Sequence, residues 1–434
     1  MKTEAWINEF AGRKILIWGF AREGRSSLRW IHTLLPDLPV TVCIPSRELS
    51  ALNREKEFEP VSYIAQEDMV PSDYDMIIKS AGIVIPEGMD RSNITQQSQL
   101  FLKHHRDQTI GITGTKGKST TASLTHAILS EKTKSHLVGN IGIPCFDILP
   151  VLEDNEPVVF EISCHQLEYS PYSPHIGVYL NLYEEHLDHY RDFQAYADAK
   201  ANVFRHQKEG DTAILNEALP YVKERPDALR IGRDITVNGN TIRVRDHQVE
   251  VTDCRLIGTH NLLNAGVAYA ATLSYGVSEQ QFLKALSEFV PLPHRLEKIA
   301  EKNGVIFVND SISTIGQASI AALKSLPETE VILIGGMDRG IDYRELEDWL
   351  YTHPRLHVIF MYATGKRIYE ELKEKNHLHA GMHVCQDLEE AVHTGAALCH
   401  PGGILLLSPA ASSYDHFRNF EERGEVFAQL VEAL

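Results

Sequence analysis

The chain is 434 residues long, 43% hydrophobic and 23% charged, ordinary globular proportions that exclude wholesale disorder and, at about 100–200 residues per domain, fit two to four domains. Forty-two Lys and Arg against 59 Asp and Glu leave a formal charge of −17, which excludes a general nucleic-acid binder but allows a local basic pocket for a small phosphorylated ligand. With no apolar run of about 18 residues, an acidic instead of an apolar opening, and six scattered cysteines (43, 145, 164, 254, 385, 399) without a CxxC pair, the expectation is a cytoplasmic protein with reduced thiols and no membrane insertion.

In chain order, three segments open with an apolar strand running into a glycine turn: Lys14-Ile-Leu-Ile-Trp-Gly-Phe-Ala, Thr109-Ile-Gly-Ile-Thr-Gly-Thr-Lys and Val331-Ile-Leu-Ile-Gly-Gly-Met-Asp. A β-branched run, a glycine and a helical pattern begin an α/β unit with a parallel sheet, so three such domains are predicted in series. In the first, Val40-Thr-Val-Cys-Ile-Pro-Ser46 and Tyr74-Asp-Met-Ile-Ile-Lys-Ser-Ala-Gly82 read as further strands. The turn Gly19–Gly24 is a poor dinucleotide fingerprint. Ala21 takes the middle glycine position, and the next strand ends without the acid that a ribose requires, which counts against a dehydrogenase. A diphosphate or uridine at this turn stays open, with Arg22 and Ser46 nearby.

The second segment carries strands Val158-Val-Phe-Glu-Ile and Ile176-Gly-Val-Tyr-Leu-Asn-Leu, then a hairpin region near 229–257 marked by Val-Asn-Gly-Asn. Pro291-Leu-Pro-His-Arg295 reads as a hinge, because prolines there cannot sit inside a helix.

The strongest chemical signal is GITGTKGKST (111–120). Backbone amides of such a loop at a helix N-terminus cradle phosphates, Lys118 reaches the terminal ones, and the Ser119 hydroxyl takes a place on Mg²⁺. Ile112 stands where the general form of the motif has its first glycine. Phosphate binding alone does not separate a motor, a switch, a kinase and a ligase. Glu161, ending its strand, is a carboxylate that can hold a metal at the carboxyl edge of a sheet. In Tyr183–Tyr190, His186 and His189 have zinc-like spacing, but no third His or Cys is suitably placed, which favours magnesium beside phosphates. Lys200, on a helical pattern, reads as a solvated lysine; His260, Asn261 and Asn264 read as helix-capping residues. Arg295 at the hinge can reach a phosphate bidentately, and Asp310, after the strand Val305–Asn309, is either a nucleotide or metal contact or a cap.

With these residues assembled, the chain resembles the Mur ligases of peptidoglycan synthesis. The matching stretches are GITGTKGKST (111–120), GNIGIP (139–144), EISCHQLE (161–168), NLYEEHLDHY (181–190), YADAK (196–200), GTHNLLNA (258–265), PHRLE (293–297), NDS (309–311), GGMDRG (335–340) and LLLSPAASSYDHFRNFEERG (405–424). The EISxxQLE and SPAxxSxDxF patterns point to the members that add glutamate to UDP-N-acetylmuramoyl-L-alanine. The resemblance implies an α/β fold of three domains: a Rossmann-like domain for the UDP-substrate over residues 1–106, a central P-loop ATPase-like domain over 107–291, and a Rossmann-like C-terminal domain for the amino acid over 292–434. It implies ATP at Gly114, Thr115, Lys116, Gly117, Lys118, Ser119, Thr120, Asn264, Arg295 and Asp310, and the UDP-substrate at Arg22, Ser46, Ser80, Gly82, Asn140 and His186. Glutamate falls to Thr314, Arg339, Ser413 and Phe420. Catalysis falls to Lys118, Glu161, His186 and Lys200; two Mg²⁺ ions would be held by Ser119, Glu161, His186 and a carbamate on Lys200.

The activity implied is ATP-dependent formation of an acyl phosphate on UDP-N-acetylmuramoyl-L-alanine, displaced by D-glutamate, in a cytoplasmic monomer that binds no nucleic acid. Two departures stand out. Asp310-Ser-Ile-Ser-Thr-Ile315 replaces the usual Asp-Ser-Lys-Ala-Thr-Asn, and Ser80-Ala-Gly82 replaces Ser-Pro-Gly. The first leaves the enantiomer of glutamate open, so L-glutamate or another amino acid stands as an alternative. A non-catalytic nucleotide-sugar binder is a further one, against which the intact Lys118, Ser119, Glu161, His186 and Lys200 set argues. A P-loop motor or GTPase would leave the SPAxxS segment without a role.

Overall fold

The computed structural model describes residues 2–49, 61–185 and 189–434, so the roles expected of His186 fall outside the described residues. The chain forms two compact units, Met1–Val251 with Asn264–Leu286, and Thr252–Leu263 with Ser287–Leu434. Among the described residues three sheets form, two in the first unit and one in the second.

The first sheet contains β1 (Ile15–Trp18), β2 (Val40–Ile44), β3 (Val61–Ala65), β4 (Met76–Lys79) and β5 (Ile94–Thr95), in the order β3-β2-β1-β4-β5, all parallel. Every residue of β1 and β4 is buried, as a parallel sheet covered on both faces requires. The helix Arg22–Leu34 follows the Gly19 turn and buries Leu28, Trp30 and Ile31. Gly24 sits where a Cβ would come within 2.1 Å of the Gly19 carbonyl oxygen, so the turn closes only on glycine.

The second sheet contains β6 (Thr109–Thr113), β7 (His136–Gly139), β8 (Val158–Glu161), β9 (Ile176–Tyr179), β10 (Thr212–Asn216), β11 (Leu229–Ile231), β12 (Ile235–Asn238), β13 (Thr241–Val244) and β14 (His247–Glu250). Its order is β14-β13-β12-β11-β10-β9-β6-β8-β7, antiparallel only within the β12–β14 meander. The Val-Asn-Gly-Asn signal is the two-residue turn between β12 and β13, with Gly239 at φ +58°. From β6 the chain crosses to β7 on one side, and from β8 it passes to β9 on the other, so the connections reverse beside β6. Ligands bind outside the carboxyl ends of strands at such a switch point.

The second unit holds β15 (Glu297–Lys302), β16 (Val305–Asn309), β17 (Thr329–Ile334), β18 (His357–Phe360), β19 (Met382–Val384) and β20 (Ile404–Leu407), ordered β15-β16-β20-β17-β18-β19. Only the β15–β16 hairpin is antiparallel. All six cysteines are free; Cys254 alone is not fully buried. Among the described residues no helix is long and apolar enough to cross a membrane.

Candidate active site

The phosphate loop leaves β6 through two glycines that no other residue fits. Gly114 has φ +151°, with a Cβ position 2.9 Å from Leu180 Cβ; Gly117, the N-cap of the helix Lys118–Ser130, has φ +83°. Thr115 N–H donates to Asn181 Oδ1 at 3.1 Å and Lys116 N–H to the same atom at 2.8 Å, while Asn181 Nδ2 donates to the Lys116 carbonyl at 3.0 Å. Two loop amides thus serve Asn181, while those of the helix's first turn, Gly117–Thr120, are among the donors that can face an anion. The Thr115 hydroxyl pairs with Tyr196 at 3.0 Å, and Lys116 pairs with Glu185 at 3.1 Å. Lys118 Nζ folds back onto the carbonyls of Gly114 (3.0 Å) and Thr115 (2.9 Å). Ser119 is half-buried in the same turn, and Asn264 lies against Gly117, its Oδ1 2.9 Å from where a Cβ would stand.

Glu161 ends β8 with no exposed surface. Its Oε1 accepts from Asn140 Nδ2 at 3.0 Å; its Oε2 is buried with no hydrogen-bond partner among the described residues. Gly139 lets the ends of β7 and β8 close, since a Cβ there would stand 2.3 Å from the Glu161 carbonyl oxygen.

Lys200 overturns the reading of a solvated lysine. On the helix Phe193–Arg205, capped by Asp192 accepting from Ala195 N–H at 2.8 Å, it is 1% exposed. Its amine donates to the Gly114 carbonyl at 2.9 Å and lies 4.7 Å over the Tyr196 ring. Burial pushes its pKa down from 10.5 to about 8, with Lys118 and Lys116 adding to the effect and Cys164 and Glu185 opposing it.

A cavity of about 480 Å³ joins these groups to the first sheet: Arg22, Ser80 and Gly82 line it together with Lys118, Asn140 and Lys200. Arg22 donates to the Gly142 carbonyl at 2.8 Å and Ser80 to the Gly19 carbonyl at 3.3 Å. Ser46 is elsewhere, its hydroxyl on Glu67 at 2.6 Å. Sequence reasoning missed Glu23, which accepts from Gln166 Nε2 at 2.6 Å and from Ala81 N–H at 3.3 Å. Gln166 itself was legible as the fourth residue of the capping box that Ser163 opens. His189 is engaged with Glu168 at 3.1 Å, and burial, with His189 close by, lowers the His165 pKa to about 4. Among the described residues no group of three or more His, Cys, Asp or Glu is placed to hold a metal.

In the second unit the predicted residues gather at the carboxyl ends of β16, β20 and β17. Asp310, after β16, is buried and accepts from Leu296 N–H (3.2 Å), Ser313 Oγ (2.5 Å) and Ser408 Oγ (2.8 Å). It therefore ties the PHRLE segment and the SPAAS segment to the strand end; it caps no helix, since the next one, Gly316–Ser325, has Ile315 as its N-cap with no side-chain cap bond. Burial raises its pKa to about 6 despite those donors and the nearby Arg295 charge. Arg295 donates to the Pro293 carbonyl at 3.3 Å. Arg423, fully buried, donates to Ser311 Oγ (3.0 Å), the Ser311 carbonyl (2.7 Å) and the Ala411 carbonyl (3.0 Å), and the Ser311 hydroxyl reaches the Phe420 carbonyl at 2.8 Å. Ser413 is buried, while Thr314, Arg339 and Phe420 are half-buried.

Residues 112–272 match the Mur ligase middle domain. The UDP-N-acetylmuramoylalanine–D-glutamate ligase of Aquifex aeolicus is 31% identical over 96% of this chain and 98% of its own. The chain belongs to the Mur ligase family. Another similar relative, at 30% identity over 98% of this chain and 96% of its own, is the UDP-N-acetylmuramoyl-L-alanine–L-glutamate ligase of Xanthomonas euvesicatoria. The crystal structure of MurF ligase from Thermotoga maritima in complex with ADP shares the fold, with a TM-score of 0.57, 18% identity, and 83% of this chain and 89% of that one covered. In this Mur ligase the two isoleucine departures part company: Ile315 is 3% exposed and belongs to the interior, whereas Ile312 is half-buried.

Proposed function

We propose that this Mur ligase uses ATP to join D-glutamate to UDP-N-acetylmuramoyl-L-alanine through an acyl phosphate. The observation that carries the reading is the one cavity in which Arg22, Ser80 and Gly82 of the first sheet meet Lys118, Asn140 and Lys200 of the second. A sugar nucleotide held on the first sheet brings its acyl end to the phosphate loop, which removes most of the entropic cost of the encounter. ATP takes the first-turn amides of Gly117–Thr120, and Lys118 leaves the Gly114 and Thr115 carbonyls for the phosphates. The substrate carboxylate attacks the γ-phosphorus and ADP leaves. The glutamate amine then attacks the acyl carbon, loses its proton and expels phosphate. Lys118 offsets the repulsion between carboxylate and triphosphate.

The residues present fit magnesium: Glu161 Oε2 is a buried acceptor without a partner among the described residues, and the Ser119 hydroxyl is in the first turn of the phosphate-loop helix. Lys200 in its neutral form adds to CO₂, loses a proton and becomes a carbamate, a further carboxylate-like ligand. Two Mg²⁺ ions bound there would supply positive charge to the phosphate oxygens. Arg22, Ser80, Gly82, Asn140 and His186 are assigned to the UDP-substrate, and Thr314, Arg339, Ser413 and Phe420 to glutamate, in a monomeric cytoplasmic enzyme.

A second reading takes L-glutamate. The Xanthomonas relative with that activity in its name is 30% identical, beside 31% for the Aquifex one, and Ile312 stands where lysine is usual. Phosphate release from ATP with UDP-N-acetylmuramoyl-L-alanine, measured in parallel with D- and L-glutamate, tests both. Release with D-glutamate alone supports the first reading and release with L-glutamate alone the second. No release with either overturns both readings and moves the weight to another amino acid or to a non-catalytic nucleotide-sugar binder.

A further inference from the structure

Lys79, the last residue of β4, is 2% exposed, and the chemistry above gives it no task. Its ammonium donates to the carbonyl oxygens of Ser80 (3.2 Å), Ala81 (3.1 Å) and Ile83 (2.7 Å). An ammonium has three protons, and all three go to one loop. In a trans peptide the C=O and N–H point in opposite directions. With the Ser80 carbonyl drawn onto Lys79, the Ala81 N–H must point away, and it meets Glu23 at 3.3 Å. By the same rule, the Ala81 carbonyl on Lys79 turns the Gly82 N–H away from the lysine, and Ser80, Ala81 and Gly82 line the cavity.

Holding a charge there is costly. Burial lowers the Lys79 pKa to about 8, with Glu168 and Glu23 opposing the shift, and His165 faces the same charge. A methionine would fill the space without that penalty, so packing alone does not account for the lysine.

We infer that Lys79 is a positioning residue for the UDP-substrate: its ammonium fixes the peptide orientations of Ser80–Ile83 so that the Gly82 N–H is presented to the ligand. The inference rests on the reading that this cavity takes the UDP-substrate.

Calorimetric titration of wild type, Lys79→Gln and Lys79→Met with UDP-N-acetylmuramoyl-L-alanine, and with ADP as control, tests it. Glutamine keeps donors without charge; methionine has neither. If the loop without Lys79 holds the competent form about a tenth of the time, Lys79→Met weakens UDP-substrate binding about tenfold. Lys79→Gln falls between, and ADP affinity is unchanged. In turnover, KM for the UDP-substrate rises while kcat holds. Wild-type affinity for the UDP-substrate, but not for ADP, also declines above pH 8, and this decline is absent in Lys79→Met. Unchanged UDP-substrate affinity in Lys79→Met, or an equal loss of ADP affinity, overturns the inference while leaving the function intact. A wild-type protein that binds ADP but no UDP-substrate overturns the reading beneath it as well.

Discussion

Lys200→Ala removes an amine that the fold holds close to neutrality. With its pKa at about 8 instead of 10.5, roughly one Lys200 amine in ten is uncharged at pH 7, about 300-fold more than for an ordinary lysine. Only the neutral amine attacks CO₂, so this lysine is favoured for carbamate formation. The sign follows directly: below pH 8 protonation withdraws the nucleophile, and reloading after CO₂ removal slows about tenfold per pH unit. The assay strips CO₂ at pH 6.5, follows phosphate release, then restores ¹³C-bicarbonate and reads the label by NMR. Activity should fall on stripping, recover with bicarbonate and recover faster at pH 8. Lys200→Ala should lose about 10²-fold or more in turnover, as expected for a charge that organises the phosphates. Acetate or propionate should partly restore it, because a supplied carboxylate occupies the vacated place. Indifference of the wild type to bicarbonate, no label on Lys200, and an alanine variant that no carboxylate rescues would refute the argument.

Lys200→Met should melt higher than wild type in CO₂-free buffer at pH 7. A folded pKa of about 8 against 10.5 unfolded costs the charged lysine up to about 3 kcal/mol, offset by about 1 kcal/mol for the lost hydrogen bond. That penalty is complete below pH 8 and relieved as pH rises toward 10.5, so the difference in Tm should shrink at pH 10. Gly117→Ala forces a side chain into φ +83° and to 2.9 Å from Asn264 Oδ1, at a cost of about 1–2 kcal/mol. ADP affinity should drop about tenfold by calorimetry, and an unchanged value would count against the first-turn assignment. Glu161→Gln keeps shape and removes the charge; turnover should fall about 10²-fold with a higher Mg²⁺ requirement, while UDP-substrate binding holds. Ile315→Asn buries an amide and should destabilise by about 2–4 kcal/mol in chemical denaturation without altering the choice of glutamate enantiomer. Ile312→Lys should shift KM for glutamate and leave stability alone.

What the sequence discloses is what lies within a short stretch of chain. The glycine turns after β1, β6 and β17, the β12–β13 turn, the phosphate loop and the carboxylate ending β8 each announce themselves within ten residues. The clamp on the loop does not, because Asn181 lies 65 residues from Lys116. Lys200 reads as an exposed helical lysine for the same reason: the carbonyl that receives it belongs to Gly114, 86 residues away. Glu23 and Gln166 stand 143 residues apart. Ile315 shows the converse error. A motif comparison groups it with Ile312 as a changed contact, and only packing shows that its side chain turns to the interior. Asp310 was readable as a residue with two candidate roles, but not as the meeting point of Leu296, Ser313 and Ser408, the last of them 98 residues away.

The chain changes unit three times, at 251/252, 263/264 and 286/287. During synthesis the first unit is therefore not ready when its sheets have left the ribosome. It waits for residues 264–286, which include Asn264, the neighbour of Gly117. A nascent chain stalled before that point carries a phosphate loop without one of its walls. A gene fragment ending at residue 251 should accordingly yield a protein that is protease-sensitive and poor at retaining ADP, even though it encodes every strand of the first two sheets.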